Sequence, residues 1–167
     1  MPAGRTYTPI ARTTLSTSTA TVSFTGISGS YTDLVLVINA TSSASGNVWV
    51  RLNSDSNTNY SYTVLSGTGS STISARAYDT DNGLLSNYYG TPSSSVANVT
   101  IFQLLNYSNT TTYKTSISRS NRSDSGTDAV VALWRSTSAV TSLLLRFAAA
   151  QTFSSGSTFT LYGIAAA

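Results

Sequence analysis

Few side chains in this sequence can do chemistry. The most suggestive run is Asn53-Ser54-Asp55-Ser56-Asn57-Thr58-Asn59, which sets oxygen-bearing side chains at alternate positions, as a calcium-binding loop does. It departs from that pattern where a cation would need it most. Thr58 stands in place of the sharp-turn glycine, only one carboxylate is present, and the chain has no glutamate to close the site bidentately. A loop without metal is the expectation. Asp79-Thr80-Asp81-Asn82-Gly83 offers two carboxylates, but its glycine comes one residue early for the same motif, and the run reads as a turn. Lys114, the only lysine, would have to lie buried beside a serine to free a hydroxyl nucleophile. Its polar neighbours Thr110, Thr111, Thr112 and Tyr113 predict an exposed side chain instead. No apolar pattern places two of the six aspartates so that one would hold a proton near neutrality.

The missing residue types narrow the field further. With no cysteine, histidine or glutamate, the chain lacks the reagents for thiol catalysis, disulfide stapling, imidazole general-base chemistry, Cys/His zinc sites and Glu-based glycoside hydrolysis. The expectation is a protein that is not an enzyme and takes no cofactor. Serine and threonine make up 58 of the 167 residues, while charged residues are only 9%, well under the roughly 25% usual in globular domains. The net charge of +3 comes from eight arginines and Lys114 scattered along the chain. Its densest basic stretch, Lys114, Arg119 and Arg122, is opposed by Asp124 and Asp128, so no nucleic-acid partner is expected. No apolar run nears the ~18 residues of a membrane span, and polar Thr6 and Tyr7 follow the N-terminal Met-Pro-Ala-Gly-Arg where a secretory signal would turn hydrophobic. Synthesis in a cytoplasm and no membrane partner are the matching expectations. A surface of hydroxyls and amides can pack against copies of itself with little charge to desolvate, which favours a subunit of a symmetric assembly.

The elements that must position any site are strands. Apolar residues alternate with period two at Ala20-Val22-Phe24, Val48-Val50-Leu52 and Tyr60-Tyr62-Val64. Further strands are predicted at 34–38, 72–76, 98–105, 114–119, 129–134, 142–147 and 158–164. Glycine- and serine-rich turns separate them, among them Ser28-Gly29-Ser30, Ser45-Gly46-Asn47 and Ser66-Gly67-Thr68-Gly69. About ten short strands without long crossovers predict an all-β, antiparallel two-sheet sandwich of jelly-roll type. The only helix candidate, 148–151, is too short to stand alone. Residues 1–14 read as an N-terminal arm or an edge strand beside one β-sandwich domain over 15–167. The stretch 79–95 reads as a long loop, whose adjacent Tyr88 and Tyr89 suit contact with a partner.

Trp49, Trp134 and ten tyrosines on such a scaffold could form a sugar-binding face, or could fill the core. Trp49 is out of phase with Val48, Val50 and Leu52, which predicts an exposed or interface position; the phase of Trp134 decides nothing. The candidate contact residues are therefore Trp49, Trp134, Tyr88 and Tyr89, with Arg51 and Arg135 close to the tryptophans, and Tyr7 and Pro9 in the N-terminal segment.

Several segments in order resemble a known family: Tyr7-Thr8-Pro9-Ile10-Ala11, Ser28 to Val37, Val50-Arg51-Leu52-Asn53 with Asn59-Tyr60-Ser61, Asn106 to Lys114, Leu133-Trp134-Arg135-Ser136-Thr137, and Gly156 to Ile164. Together they are similar to small β-sandwich virion proteins of tailed bacteriophages, cyanophages among them. The resemblance covers about residues 7–164, with no matching segment between Gly67 and Val96. It implies a structural role as a capsid decoration or cement subunit, with further copies of the chain in a trimer and the major capsid protein or other virion proteins as the expected partners. The alternative it carries is a head or tail fibre module that recognises host surface glycans. Either role would place the chain in the virion, on the capsid surface before the tail.

Overall fold

A computed structural model describes residues 6–165 as an all-β protein. Twelve strands form: β1 (Tyr7–Thr14), β2 (Thr21–Phe24), β3 (Asp33–Ala40), β4 (Val48–Leu52), β5 (Tyr60–Gly67), β6 (Thr72–Thr80), β7 (Gly83–Ser86), β8 (Asn98–Leu104), β9 (Lys114–Arg122), β10 (Gly126–Trp134), β11 (Leu143–Phe147) and β12 (Thr158–Ile164). They pair antiparallel into an eight-stranded sheet, β1-β12-β3-β8-β9-β10-β5-β6, and a four-stranded sheet, β2-β11-β4-β7. The first four strands of the large sheet facing the whole small sheet reproduce the strand order of a jelly roll. The predicted sandwich is the one observed, and the remaining four strands extend it. Two hairpin-like insertions, β5–β6 and β9–β10, add β9-β10-β5-β6 to the side of β8.

The two regions differ in what they bury. Between the sheets of the jelly roll, Leu34, Leu36, Phe102, Leu143, Leu145, Phe159 and Leu161 are almost fully enclosed. Phe153 sits 4.5 Å from Phe147 and 5.1 Å from Phe159, ring centre to ring centre. Each such side chain contributes about 2–3 kcal/mol by leaving water. On the extension the inward-facing residues of β9 are polar instead, Ser116, Ser118 and Ser120 being buried, and β10 sets buried Asp128 in line with apolar Val130 and Trp134; Ser66 is buried on β5. Small side chains let β7 and the chain after it approach closely, and the Ser118 hydroxyl donates to the Leu85 carbonyl at 2.7 Å. A second, smaller apolar cluster of Val64, Leu84 and Val130, with Trp49, Tyr62 and Ala75 packed on it, completes the join.

One local expectation changes, and two open alternatives are resolved. The span 79–95 is not one long loop: β6 runs to Thr80, and β7 lies within it with all four residues buried. Four residues are too few for alternation to announce a strand, and the adjacent leucines Leu84 and Leu85 face different clusters across a bulge. Residues 148–150 form bends, and Gln151 after them is irregular, so no helix forms there. Residues 7–14 form the edge strand of the chain's own large sheet, paired to β12 with a register shift between Pro9 and Ala11. Pro9, lacking an N–H, suits that edge position. Residues 1–5 of the proposed arm lie outside the described residues.

Candidate interaction face

The residues singled out for chemistry are used to hold the fold. Asp55 accepts hydrogen bonds from the Asn57 backbone N–H and Nδ2 at 2.9 and 2.8 Å, from Asn59 Nδ2 at 2.8 Å and from Trp134 Nε1 at 2.7 Å. Burial pushes its pKa up, but the bonds from Asn59, Trp134 and Asn57 outweigh burial and leave it below the ordinary carboxylate range. Both carboxylate oxygens are occupied by N–H donors, which is the opposite of what a cation needs. Asp79 and Asp81 are each taken by an arginine, Arg135 at 2.5 Å and Arg51 at 2.6 Å. Among the described residues no three potential ligating side chains gather.

Lys114 overturns its expected exposure. Only 1% of its surface is accessible, and Nζ donates to the Thr112 and Thr137 carbonyls at 2.8 and 3.2 Å. The first position of β9 points inward, so the polar neighbours that suggested solvent lie in the preceding turn. Burial lowers its pKa, yet its hydrogen bonds run to backbone oxygens and not to a serine hydroxyl.

Asp128, which no motif marked, is the best-enclosed carboxylate. It is fully buried and accepts the backbone N–H groups of Asn87, Tyr89 and Gly90 at 2.8, 3.3 and 2.9 Å, with the Ser120 hydroxyl at 3.4 Å. A Cβ on Gly90 would fall 2.7 Å from Asp128 Oδ2 and 2.5 Å from Ser120 Oγ, so only glycine allows this approach. The anchored turn holds Tyr88 at φ 35°, a left-handed conformation costing about 1–2 kcal/mol for a residue with a side chain. Tyr88 is exposed and Tyr89 half-buried.

The other predicted contacts divide. Trp134 is core: 4% exposed, stacked on Tyr60 at 6.3 Å and tied to Asp55. Trp49 is half-buried against Leu84, Val64 and Val130 rather than exposed, because the extension closes over the side of β4 away from the main core. Trp134 has no free face to stack on a sugar, and Trp49 is only partly exposed. Arg51 and Arg135 are committed to Asp81 and Asp79 in partly exposed ion pairs. Tyr7 and Pro9 are exposed on the outer edge strand, with Tyr7 edge-on to Tyr162 at 6.2 Å.

What the sequence pattern did not reveal is the outer face of the large sheet. The cross-strand register places Ile101, Ile117, Val131 and Leu65 on that face, together with Arg119 and Arg76. Among the described residues, four of the eight exposed large hydrophobics lie on the extension: Leu65 and Tyr78 at 58%, Val131 at 54% and Ile117 at 45%; Ile101 adjoins them on β8 at 39%. A concavity of about 410 Å³ opens there, bordered by Thr63, Arg76, Tyr78, Thr115, Val131 and Leu133. A second of about 320 Å³ lies between Ile101, Gln103, Ile117 and Arg119. Alternation alone tells that one side of β9 differs from the other; it does not tell which is inside.

Compared with known proteins, the chain matches no family model, and no curated protein is a match for it. Among the described residues no helix is long and apolar enough to cross a membrane.

Proposed function

We propose that this chain is a non-enzymatic structural subunit of a phage virion, most closely a capsid cement or decoration protein that works as a homo-oligomer, a trimer by its resemblance. The observation that carries the reading is the exposed patch of Ile101, Ile117, Val131 and Leu65, spread over two adjacent rows of an ordered sheet. Contiguous apolar surface of this kind marks protein contact sites. The whole outer face, eight strands about 4.8 Å apart and about 25 Å long, offers roughly 850 Å², close to the ~800 Å² per partner of a stable interface. The six ordered segments of resemblance add the virion context, and the edge strand with exposed Tyr7 and Pro9 offers a separate surface for contact between copies. The alternative, a fibre module gripping surface glycans, has one observation in its favour: exposed Tyr78, with the Arg76 guanidinium 5.0 Å over its ring, borders the larger concavity.

Electron cryomicroscopy of virions from the phage that carries this gene tests the proposal. Density for the chain in many copies on the head shell is expected. Its absence from the particle overturns the proposal, and density on the tail with strong binding on a glycan array moves the assignment to the fibre reading.

A further inference from the structure

Resting on that structural reading, we infer that the outer face of the large sheet docks on an acidic, apolar-centred protein surface rather than on a second copy of this chain. The argument is a charge balance. All six aspartate side chains are engaged within the fold: Asp79, Asp81 and Asp124 with arginines, Asp55 and Asp128 with the donors described above, and Asp33 with the Asn106 N–H at 2.7 Å. Among the described residues four arginines have no carboxylate partner: Arg12, Arg76, Arg119 and Arg146. Arg146 lies 6.0 Å from the Trp49 ring centre on the small sheet. The other three share the outer face of the large sheet.

Register fixes their arrangement. Arg12 pairs with Thr160, Thr160 with Val37, Val37 with Ile101 and Ile101 with Arg119, so Arg12 and Arg119 stand in one row four strands apart. The next row runs from Ile117 through Val131 and Thr63 to Arg76. At about 4.8 Å per strand, Arg119 is ~19 Å from Arg12 and ~16 Å from Arg76. Val37, Ile101, Ile117, Val131 and Leu65 fill the ground between. A second copy laid face to face here would bring arginines toward arginines, and none of its six aspartates is uncommitted. A partner with carboxylates spaced around an apolar centre satisfies both features, and charge complementarity of this kind sets partner choice and encounter rate.

The test uses the full chain, its Arg76→Gln/Arg119→Gln double variant and Arg146→Gln as control. These side chains carry no ion pair, so the variants are expected to fold. Each is titrated onto phage heads stripped of the chain and onto beads bearing phenyl and carboxylate groups, at 50 and 500 mM salt. The expected result is equal binding by wild type and control, and a loss of about tenfold in the double variant that shrinks at high salt. Binding of the double variant within twofold of wild type on both supports overturns the inference. Arginine-dependent binding to the beads with none to the heads keeps the inference and removes the head assignment. Self-association of the chain that Ile117→Lys abolishes overturns it in favour of a second copy.

Discussion

The jelly-roll half and the extension are both built from alternating strands, yet β9 of the extension turns its polar side to the interior. In the jelly roll, apolar residues such as Phe102 face in and point toward the opposing sheet. On β9 of the extension, Lys114, Ser116, Ser118 and Ser120 face in while Ile117 faces out. The reversal on β9 leaves the extension a smaller apolar core, built around Val64, Leu84 and Val130, and is offset by directed polar contacts, chiefly the carboxylate of Asp128. It also leaves apolar side chains on an ordered outer surface. Alternation therefore specifies a sheet with two unlike faces, and the polar anchors decide which face is buried.

The sharpest way to break this contrast is Asp128→Ala. Three backbone N–H groups would lose their acceptor in a buried site, and a loss of about 3–5 kcal/mol in denaturant unfolding is expected. Asp128→Asn, which keeps one acceptor oxygen, should cost less; equal stability of Asp128→Ala and wild type would show that Asp128 is not the anchor.

Next in size is a comparison of neighbours on β8. Phe102→Ala, in the main core, should cost about 3–4 kcal/mol, whereas Ile101→Ala on the outer face should stay within about 0.5 kcal/mol. Similar losses at both positions, measured by the same unfolding assay, would mean that the outer face is covered within the monomer. Ile117→Ser with Val131→Ser should likewise leave unfolding nearly unchanged while lowering retention on heads about tenfold in cosedimentation.

A smaller effect concerns pH. The folded pKa of Asp55 lies below its unfolded value, so its contribution is fully present above about pH 4 and is lost as pH falls through the folded pKa. Because the group is partly exposed, about 1 kcal/mol or less is at stake. Unfolding curves from pH 6 to pH 2 should be less acid-sensitive in Asp55→Asn; parallel curves would contradict the assignment. The smallest expected change is at Lys114, whose folded pKa is lowered. The unfolded chain then holds more protons just below pH 10.5, and stability rises with pH across that window. Subtracting the Lys114→Met profile from wild type should isolate that slope, and a flat difference would mean that the ammonium is not penalised by burial.

Much of this architecture was legible in the residues. The strands from Val48, Asn98 and Thr158 follow directly from alternation and turn chemistry, and the antiparallel two-sheet sandwich follows from many short strands without long crossovers. The site was far less legible. Trp134 gave no readable phase and proves to be pinned inside by Asp55, 79 residues away in sequence. Lys114 looked exposed because local polarity does not report a neighbouring strand. Asp128 stands in an ordinary strand, and its role depends on a turn 38–41 residues earlier. Ile117 and Val131 carried the right alternation, but which way they faced was set by these long-range polar contacts.

Hydroxyl-radical footprinting of the chain, free and bound to phage heads, tests the central claim most directly. Leu65, Tyr78, Ile117 and Val131 should lose labelling on binding, while Tyr88 and Tyr113 keep theirs. Protection of Tyr88 and Tyr113 with the extension's outer face still fully labelled would contradict the account.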